Sequence, residues 1–249
     1  MVIVAARDEA GRLAATLSAL RGAFPRAALL VSDDGSRDDT AGVARRAGAR
    51  VLCTGRHVGK GAAMTAAARA ALEDAALEDA AGRAGAGPGA SAGMGGQPLF
   101  LLCDGDLGES AAALGPLVEA VSSGRGDLAV AVFASRSGGG LGVLRGYARW
   151  SIARRCGRSA RAPLSGQRAL TRETLLDVLP FAAGYGMELG MTIDALRAGR
   201  TLVELELDLS HRARGRTPAG FLHRGRQLLD VVRADAARRP PRNLGGRGR

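Results

Sequence analysis

The sequence predicts an α/β fold in which a mostly parallel central sheet is flanked by helices. Short apolar segments typical of buried strands alternate with segments of helical periodicity, which is the pattern of parallel α/β domains. Two of the apolar segments end abruptly in carboxylates and a glycine, at Asp33–Ser36 and at Asp104–Asp106. Ligands bind at the carboxyl ends of the strands in such sheets. The two acidic ends therefore predict one anionic pocket.

The first half of the chain alternates regularly between strands and helices. The predicted strands are Val2–Ala6, Ala28–Val31, Arg50–Cys53, Leu99–Cys103 and Leu128–Phe133. Helical spacing and capping residues predict helices over Glu9–Gly22, from Asp38 to Gly48, from Lys60 to about residue 80, and over Ala111–Ser123. Residues 83–97 are almost entirely Gly, Ala, Ser and Pro, and we expect them to form a disordered surface loop.

The second half of the chain is less regular. It is predicted to contain one short strand at Leu164–Leu170, a last strand at Thr201–Leu207, and helices over Leu141–Cys156, Arg172–Leu179, Met187–Ala198 and Pro218–Ala237. Residues 1–237 are predicted to form a single domain. Residues 238–249, rich in Arg, Pro and Gly, are expected to be a flexible basic tail.

The net charge of +11 admits nucleic acid, an anionic membrane or a phosphorylated substrate as a partner. We expect no nucleic-acid binding, because the aromatic residues that interleave with basic ones in single-strand binders are missing. Three cysteines without metal-ligand spacing indicate thiols in a reducing compartment. No signal peptide or membrane-spanning segment is recognisable, so the protein is expected to be cytoplasmic.

The acidic strand ends are the principal candidate site. A capped turn would explain the turn formers around Asp33 and Asp34, but two carboxylates at this point exceed what a turn needs. We interpret them as acceptors for a ribose hydroxyl or a base N–H. Asp104 and Asp106 have the spacing of a divalent metal site, with a solvated acidic turn as the alternative. Hard oxygen ligands of this kind predict Mg²⁺ or Mn²⁺.

Five further residues are candidates, and four of them have a simpler alternative. Lys60 lies between two glycines at a helix start, where phosphate can bind. His211 follows the last strand and is either a third metal ligand or a surface histidine. Glu188, near a glycine-rich helix start, is either a general base or a partner of the helix dipole. Arg136 and Arg168 either hold phosphate oxygens or are solvated arginines.

Together these residues resemble the family 2 glycosyltransferases, which have the GT-A (Rossmann-like) fold. The likeness runs from Val2 to about Asp230. The nucleotide-binding signature of the family matches Asp33-Asp34-Gly35-Ser36, its Gly-Lys-Gly includes Lys60, and its metal-binding DxDL motif matches Asp104-Gly105-Asp106-Leu107. The turn after the first strand is similar to the family's PAxNE motif, from which Ala6, Arg7 and Asp8 depart.

The resemblance implies a metal-dependent transfer of a sugar from a UDP- or GDP-linked donor to a phosphate-bearing or lipid-phosphate acceptor. The implied contacts to the donor nucleotide are Ala5, Ala6, Arg7, Glu9, Asp33, Asp34, Gly35, Lys60, Asp104 and Gly105. The implied ligands of Mg²⁺ or Mn²⁺ are Asp104, Asp106 and His211. If the reaction inverts the configuration at the anomeric carbon, Glu188 is implied as its base, unless a phosphate acceptor needs none. Arg136 and Arg168 are implied as a clamp on an anionic acceptor.

Two subgroups of the family compete. Arg136 with its following glycines and Ser165–Ala169 look like polyprenyl-phosphate transferases, which invert. Gly184–Glu188 and His211-Arg212 are similar to glucosyl-3-phosphoglycerate synthases, which retain, so the stereochemistry stays open. Two other functions remain as alternatives. One is a sugar-phosphate nucleotidyltransferase, although Arg7–Arg12 lacks the usual glycine-rich loop, and the other is a non-catalytic nucleotide-binding module.

The basic amphipathic helix Pro218–Ala237 has three alternative contacts. It could rest on the inner face of a membrane, which would make the protein peripheral there. It could instead pack on its own domain, or on a second subunit in a homodimer.

Overall fold

A seven-stranded sheet forms the centre of the molecule. The computed structural model describes residues 1–85, 97–134, 142–209 and 218–238. The strands are β1 (Val2–Ala6), β2 (Leu29–Asp33), β3 (Arg50–Cys53), β4 (Leu99–Asp104), β5 (Leu128–Phe133), β6 (Arg168–Thr171) and β7 (Leu202–Leu207). Their order across the sheet is β3-β2-β1-β4-β6-β5-β7, which confirms the predicted α/β class.

The pairing of the strands brings the acidic ends together. Strands β1, β2, β3 and β4 are mutually parallel, and β7 runs parallel to β5, whereas β6 is antiparallel to both of its neighbours. Ala5 on β1 pairs with Ser32 on one side and with Asp104 on the other. The ends of β2 and β4 therefore lie on either side of β1, at an edge that we call the carboxyl edge of the sheet.

Helices cover both faces of the sheet. They are α1 (Ala10–Ala23), α2 (Thr40–Arg46), α3 (Lys60–Gly85), α4 (Gly115–Ser122), α5 (Gly142–Cys156), α6 (Arg172–Asp177), α7 (Met187–Arg197) and α8 (Pro218–Ala237). Two short 3-10 segments complete the described secondary structure, Gly108–Leu114 and Gly184–Gly186. The helix predicted over 111–123 is thus divided in two. Its α-helical part begins next to Pro116, in the first turn, where a missing N–H costs nothing.

Several predicted boundaries differ from the observed ones; for example, β2 continues to Asp33, and α6 ends at Asp177 instead of Leu179. The strand predicted from Leu164 begins only at Arg168, because residues 163–167 form a loop that turns toward the carboxyl edge. Helix α3 continues to Gly85, so the first residues of the predicted disordered loop are helical, and 86–96 lie outside the described residues. Arg238, the first residue of the predicted tail, is bound to Asp194. Residues 239–249 lie outside the described part of the chain.

The core is divided into layers by the sheet. One face packs on α1 and α4 through leucines such as Leu13, Leu17 and Leu117. The other face packs on α3, α6 and α7, and the α3 contribution is mainly alanine, with Ala67, Ala68 and Ala71 fully buried. These small side chains let α3 approach the sheet closely. A core with few aromatic residues can therefore still be dense.

A third apolar cluster attaches α8 to the rest of the domain. Val231 on α8 packs with Leu144 and Ile152 of α5 and with Leu189 of α7. Beside it the buried Asp235 accepts hydrogen bonds from Tyr147, Ser151 and Arg155. Helix α8 therefore packs on its own domain, which is one of the three contacts considered for it. None of the described helices has the length and apolar character that crossing a membrane requires.

Candidate functional site

Two loops at the carboxyl edge are joined by backbone and side-chain hydrogen bonds. The N–H of Asp8 donates to Ser36 Oγ (3.0 Å), and the N–H of Arg37 donates to Asp8 Oδ1 (2.7 Å). The N–H of Glu9 donates to Thr40 Oγ1 (2.9 Å) in the same way. Asp8 adopts a φ of 54°, an uncommon conformation that aspartate tolerates better than most residues. The loop after β1 and the loop after β2 thus form one wall.

Asp33 and Asp34 are buried and shape this wall. Asp33 accepts the N–H and hydroxyl of Ser36, which closes the turn after β2. Asp34 accepts the N–H groups of Val58 and Gly59 at 2.7 and 3.1 Å, and its Oδ2 lies 2.8 Å from His57 Nδ1. Both carboxylates therefore organise the loops around the pocket.

The remaining sequence-predicted nucleotide contacts lie on the same edge. Gly105 donates its N–H to the carbonyl of Ala5 (2.8 Å), and the carbonyl of Ala6 accepts the N–H of Asp34 (3.1 Å). Arg7 is exposed beside Asp8. Gly35 has a φ of +66°, and a Cβ there would lie 2.4 Å from the carbonyl carbon of Arg56, so the turn requires glycine.

The side chain of Lys60 joins two carboxylates from distant parts of the chain. Its Nζ lies 2.7 Å from Asp104 Oδ1 at the end of β4 and 2.7 Å from Glu188 Oε1 in the first turn of α7. Burial alone would lower the pKa of Lys60, but the charges and hydrogen bonds of Asp104 and Glu188 raise it above its ordinary value. Lys60 is also the only lysine among the 35 Lys and Arg residues of the chain. A compact ammonium is thus present at the one position where it bridges two carboxylates.

Gln167 is a site residue that the sequence reasoning did not single out. Its side chain is 1% exposed, and its Nε2 donates to Asp104 Oδ2 at 2.9 Å. The residue before it, Gly166, passes so close that a Cβ would lie 2.5 Å from Asp104 Oδ2 and 3.0 Å from Lys60 Nζ. A glycine followed by a polar residue directly before a strand is the only signal that could have indicated this contact.

Ser32 is a second residue that the sequence reasoning missed. Its hydroxyl is buried and has no hydrogen-bond partner among the residues that the structure describes. It lies in register with Ala5 and Asp104 across three neighbouring strands. A serine within an apolar run gave no signal, because strands tolerate single hydroxyls.

Asp106 provides the oxygen donors expected of a metal site. It lies half-buried two residues after Asp104, and its carboxylate makes no hydrogen bond or ion pair to any residue that the structure describes. The two carboxylates fit Mg²⁺ or Mn²⁺, which take oxygen ligands and share the phosphates of a substrate. His211, the predicted third ligand, lies outside the described residues. Within the described ranges no group of three or more His, Cys, Asp or Glu side chains could hold a metal.

The last residues to be located are the two arginines proposed as phosphate contacts and the cysteine before Asp104. Arg168 does not fit a direct contact with an acceptor, because it is 1% exposed and donates to the carbonyls of Ser165 and Pro163 and to Thr192 Oγ1. Burial lowers its pKa to about 10, so it stays charged at neutral pH. Arg136 lies outside the described residues. Burial raises the pKa of the Cys103 thiol, which keeps it neutral.

The fold and this edge define a class of protein. A mostly parallel sheet that carries an Asp-x-Asp at the end of β4, beside a bridging lysine, agrees with the GT-A fold that the sequence resemblance implies. Residues 1–77 match the family model described as Glycosyl transferase family 2. This match confirms the resemblance on which the sequence interpretation rested, and the chain is a glycosyltransferase.

Solved structures of one enzyme resemble most of the chain. Glucosyl-3-phosphoglycerate synthase from Mycobacterium tuberculosis in complex with phosphoglyceric acid is 25% identical, with a TM-score of 0.71, covering 95% of this chain and 78% of that one. Its complex with Mg²⁺ and uridine diphosphate gives a TM-score of 0.70 at 25% identity, covering 95% and 77%. Its complex with Mn²⁺, uridine diphosphate and phosphoglyceric acid gives 0.69 at 25%, covering 95% and 76%. Among curated proteins none matches the sequence.

Proposed function

We propose that the chain transfers a hexosyl group from a uridine-diphosphate sugar to a small phosphate-bearing acceptor in a metal-dependent reaction. The observation that carries the proposal is the cluster in which Lys60 joins Asp104 to Glu188 at the carboxyl edge. The relatives in structure bind uridine diphosphate with Mg²⁺ or Mn²⁺, and phosphoglyceric acid, which supports this choice of donor and acceptor.

The donor would lie along the wall formed by the loops after β1 and β2. We assign its nucleoside to the edge built by Ala5, Arg7, Glu9 and the 33–36 turn, where backbone groups and the neighbouring carboxylates offer acceptors for base and ribose. Its diphosphate would then point toward Lys60. The ammonium can donate to phosphate oxygens as it now does to carboxylates, because charged hydrogen bonds of this kind are strong.

The metal would be held by Asp104 and Asp106, with His211 as the further ligand proposed from the sequence. When bound, it would neutralise charge that develops on the leaving diphosphate. Lys60 bears the second positive charge at the same place, and it also keeps Asp104 turned toward the pocket.

Glu188 is the proposed acid–base or orienting group on the sugar side of the pocket. Glu188 is 5% exposed and its carboxylate is held by Lys60, so the carboxylate is fixed in direction before any substrate arrives. Arg136 remains the proposed phosphate clamp for the acceptor. Arg168 is better assigned to holding the 163–167 loop in place.

The experiment is a measurement of nucleotide release. Purified protein with Mn²⁺ and UDP-glucose, and with 3-phosphoglycerate added or omitted, should release UDP faster when the acceptor is present. Lys60→Met should reduce the rate by about 100-fold or more, since one such charged donor contributes on that scale. Arg26→Met, on the exposed surface, is the matched control and should leave the rate unchanged.

Two results, from this assay and from the same assay with other substrates, would overturn the proposal. Release of pyrophosphate from UTP and a sugar phosphate would identify a nucleotidyltransferase instead. Tight UDP binding with no turnover of any UDP- or GDP-sugar would identify a nucleotide-binding module.

We also propose a different membrane-facing element from the one suggested by the sequence. Helix α8 is engaged with α5 and α7, whereas α5 exposes Trp150 (55%), Val143 (80%) and the basic residues Arg145, Arg149 and Arg154. Residues 128–172 contain nine arginines and no Asp or Glu. An anionic bilayer fits this face, since it takes up arginines and interfacial tryptophan together. A homodimer through the same face would oppose arginine to arginine.

A further inference from the structure

The geometry points to Gln167 as a positioning residue that holds Asp104 in its metal-binding orientation; this inference rests on the proposed function. The amide Nε2 lies 2.9 Å from Asp104 Oδ2, and Lys60 takes the other oxygen, Oδ1. Both oxygens of Asp104 are therefore contacted, by donors from separate parts of the chain, and these contacts restrain the plane of the carboxylate. Asp106 has no such hydrogen-bonding partner among the residues described.

The orientation of the Gln167 amide is itself determined. Its Oε1 accepts a hydrogen bond from Ser165 Oγ (3.3 Å), which leaves the NH₂ end directed at Asp104. The side chain is 1% exposed, and a buried amide with both ends satisfied does not rotate freely. A hydrocarbon side chain here would fill the space without supplying the donor.

The loop that carries Gln167 is tied to the rest of the site. The N–H of Ala131 donates to the carbonyl of Gln167 (3.0 Å), and the buried Arg168 donates to the carbonyls of Ser165 and Pro163. Arg168 also donates to Thr192 Oγ1, which in turn donates to the carbonyl of Glu188 (3.0 Å). The same short loop thus connects the Asp104 side of the pocket with the Glu188 side.

Groups that orient a metal ligand affect metal affinity although they never touch the ion. Their loss typically weakens binding 10- to 100-fold. In Gln167→Met we expect the Mn²⁺ dissociation constant in the presence of UDP to rise by about that factor, because Asp104 loses the amide that donates to its Oδ2. The turnover number at saturating Mn²⁺ should stay within a few-fold of the wild type, whereas the Mn²⁺ concentration for half-maximal rate should rise.

The experiment measures free Mn²⁺ by its electron paramagnetic resonance signal, titrated into full-length protein with and without UDP. Gln97→Met is the matched control: the same side-chain change at the amino end of β4, where the residue is exposed. Gln167→Asn is the second variant, in which a shortened amide no longer reaches Asp104. It should weaken Mn²⁺ binding even if the methionine variant fails to fold.

The outcomes separate the inference from the proposed function. If the wild type binds no Mn²⁺, the metal-dependent function fails. If the wild type binds Mn²⁺ and a folded Gln167 variant binds it equally well, the positioning role is wrong. If Gln97→Met loses as much affinity as Gln167→Met, the effect is general instability and the inference is again overturned.

Discussion

Lys60 is the residue around which the candidate site is assembled. It reaches Asp104 from β4 and Glu188 from α7, and Gly166 leaves room beside its ammonium. Arginine, the cation used everywhere else in this chain, has a planar fork that suits bidentate partners on one side better than two separate carboxylates. The one retained lysine is explained by this geometry.

A single lysine makes its charge state directly measurable. Protein labelled with carbon-13 lysine should give one Cε resonance, and this resonance should not titrate as the pH rises from 7 to 10. The folded pKa of Lys60 lies above its unfolded value of 10.5, because Asp104 and Glu188 favour the charged form more than burial opposes it. Its stabilising contribution is therefore complete below the unfolded pKa, and is lost only as the pH rises through the folded pKa.

The control for this titration is the same protein unfolded in denaturant. Its lysine resonance should titrate with the ordinary pKa of a lysine. A midpoint below 10.5 in the folded protein would contradict the bridging role. In Asp104→Asn the midpoint should fall toward the ordinary value, because one of the two charges is removed.

At the scale of elements, α8 supports the turn that leads into Glu188. Gly184 has a φ of +54°, and a Cβ there would lie 2.1 Å from Asp230 Oδ2 on α8. The N–H of Tyr185 donates to the same oxygen (3.3 Å), and Gly186 packs against Ala234. Helix α8 is itself attached to α5 through Asp235. Burial would raise the pKa of Asp235, but hydrogen bonds from Arg155, Ser151 and Tyr147 outweigh this effect and lower the pKa to about 2.

A side chain at position 184 should therefore destabilise the protein for two reasons: the backbone conformation would be strained, and the Cβ would clash with Asp230. Gly184→Ala is expected to reduce the free energy of unfolding by about 2–4 kcal/mol, more than the 1 kcal/mol or so of left-handed strain alone. Activity should fall further than stability explains, since the turn sets the start of α7. Thermal and denaturant unfolding, together with the rate of UDP release, provide the measurement.

Gly124→Ala is the matched control, because Gly124 has a φ of +73° with no atom near its missing Cβ. It should show the strain without the collision. The double variant Gly184→Ala/Asp230→Ala should recover part of the loss. Equal destabilisation at positions 124 and 184 would contradict the contact with α8.

At the scale of the whole molecule, positive charge is concentrated in the segment from β5 to the start of α6, residues 128–172. Some of these arginines form ion pairs within the domain, such as Arg155 with Asp235 and Arg172 with Asp79. Those on the outer side of α5 have no acidic partner among the described residues, and Arg154 lies 5.9 Å from the ring centroid of Trp150. This face combines charge with exposed apolar area.

Trp150 is the only tryptophan of the chain, so its fluorescence reports on this face alone. Vesicles of phosphatidylglycerol should shift its emission to shorter wavelength, and vesicles of phosphatidylcholine should not, because the attraction is about 1 kcal/mol for each arginine near an anionic surface. Arg145→Glu/Arg149→Glu should abolish the shift, whereas Arg26→Glu/Arg125→Glu, with the same net charge, should retain it. An equal response of both double variants, or a shift with single-stranded RNA only, would contradict a membrane-facing surface.

The alternation of strands and helices along the chain and the acidic ends of two strands could be predicted from the sequence, because apolar runs and the carboxylates that follow them are local patterns. The order of the strands across the sheet was not predicted. The partners of those carboxylates could not be predicted. Asp34 looks the same in sequence whether it meets a ribose or the N–H of Val58, and only the fold decides. Arg168 was expected either to hold phosphate oxygens or to be solvated, but it is buried in the short strand β6. The sequence does not distinguish a buried arginine from an exposed one. Gln167 acts at a separation of 63 residues from Asp104.

The three bonds that complete the Lys60 cluster span 44, 63 and 128 residues of sequence. During translation the residues that complete these bonds are synthesised in that order. When the residues up to Asp104 have emerged, Lys60 and its first carboxylate are present, but neither the amide behind that carboxylate nor the glutamate opposite it exists yet. The cluster is thus incomplete in the nascent chain until α7 has been made, and a translation product that stops before α7 would carry Lys60 and Asp104 without Glu188.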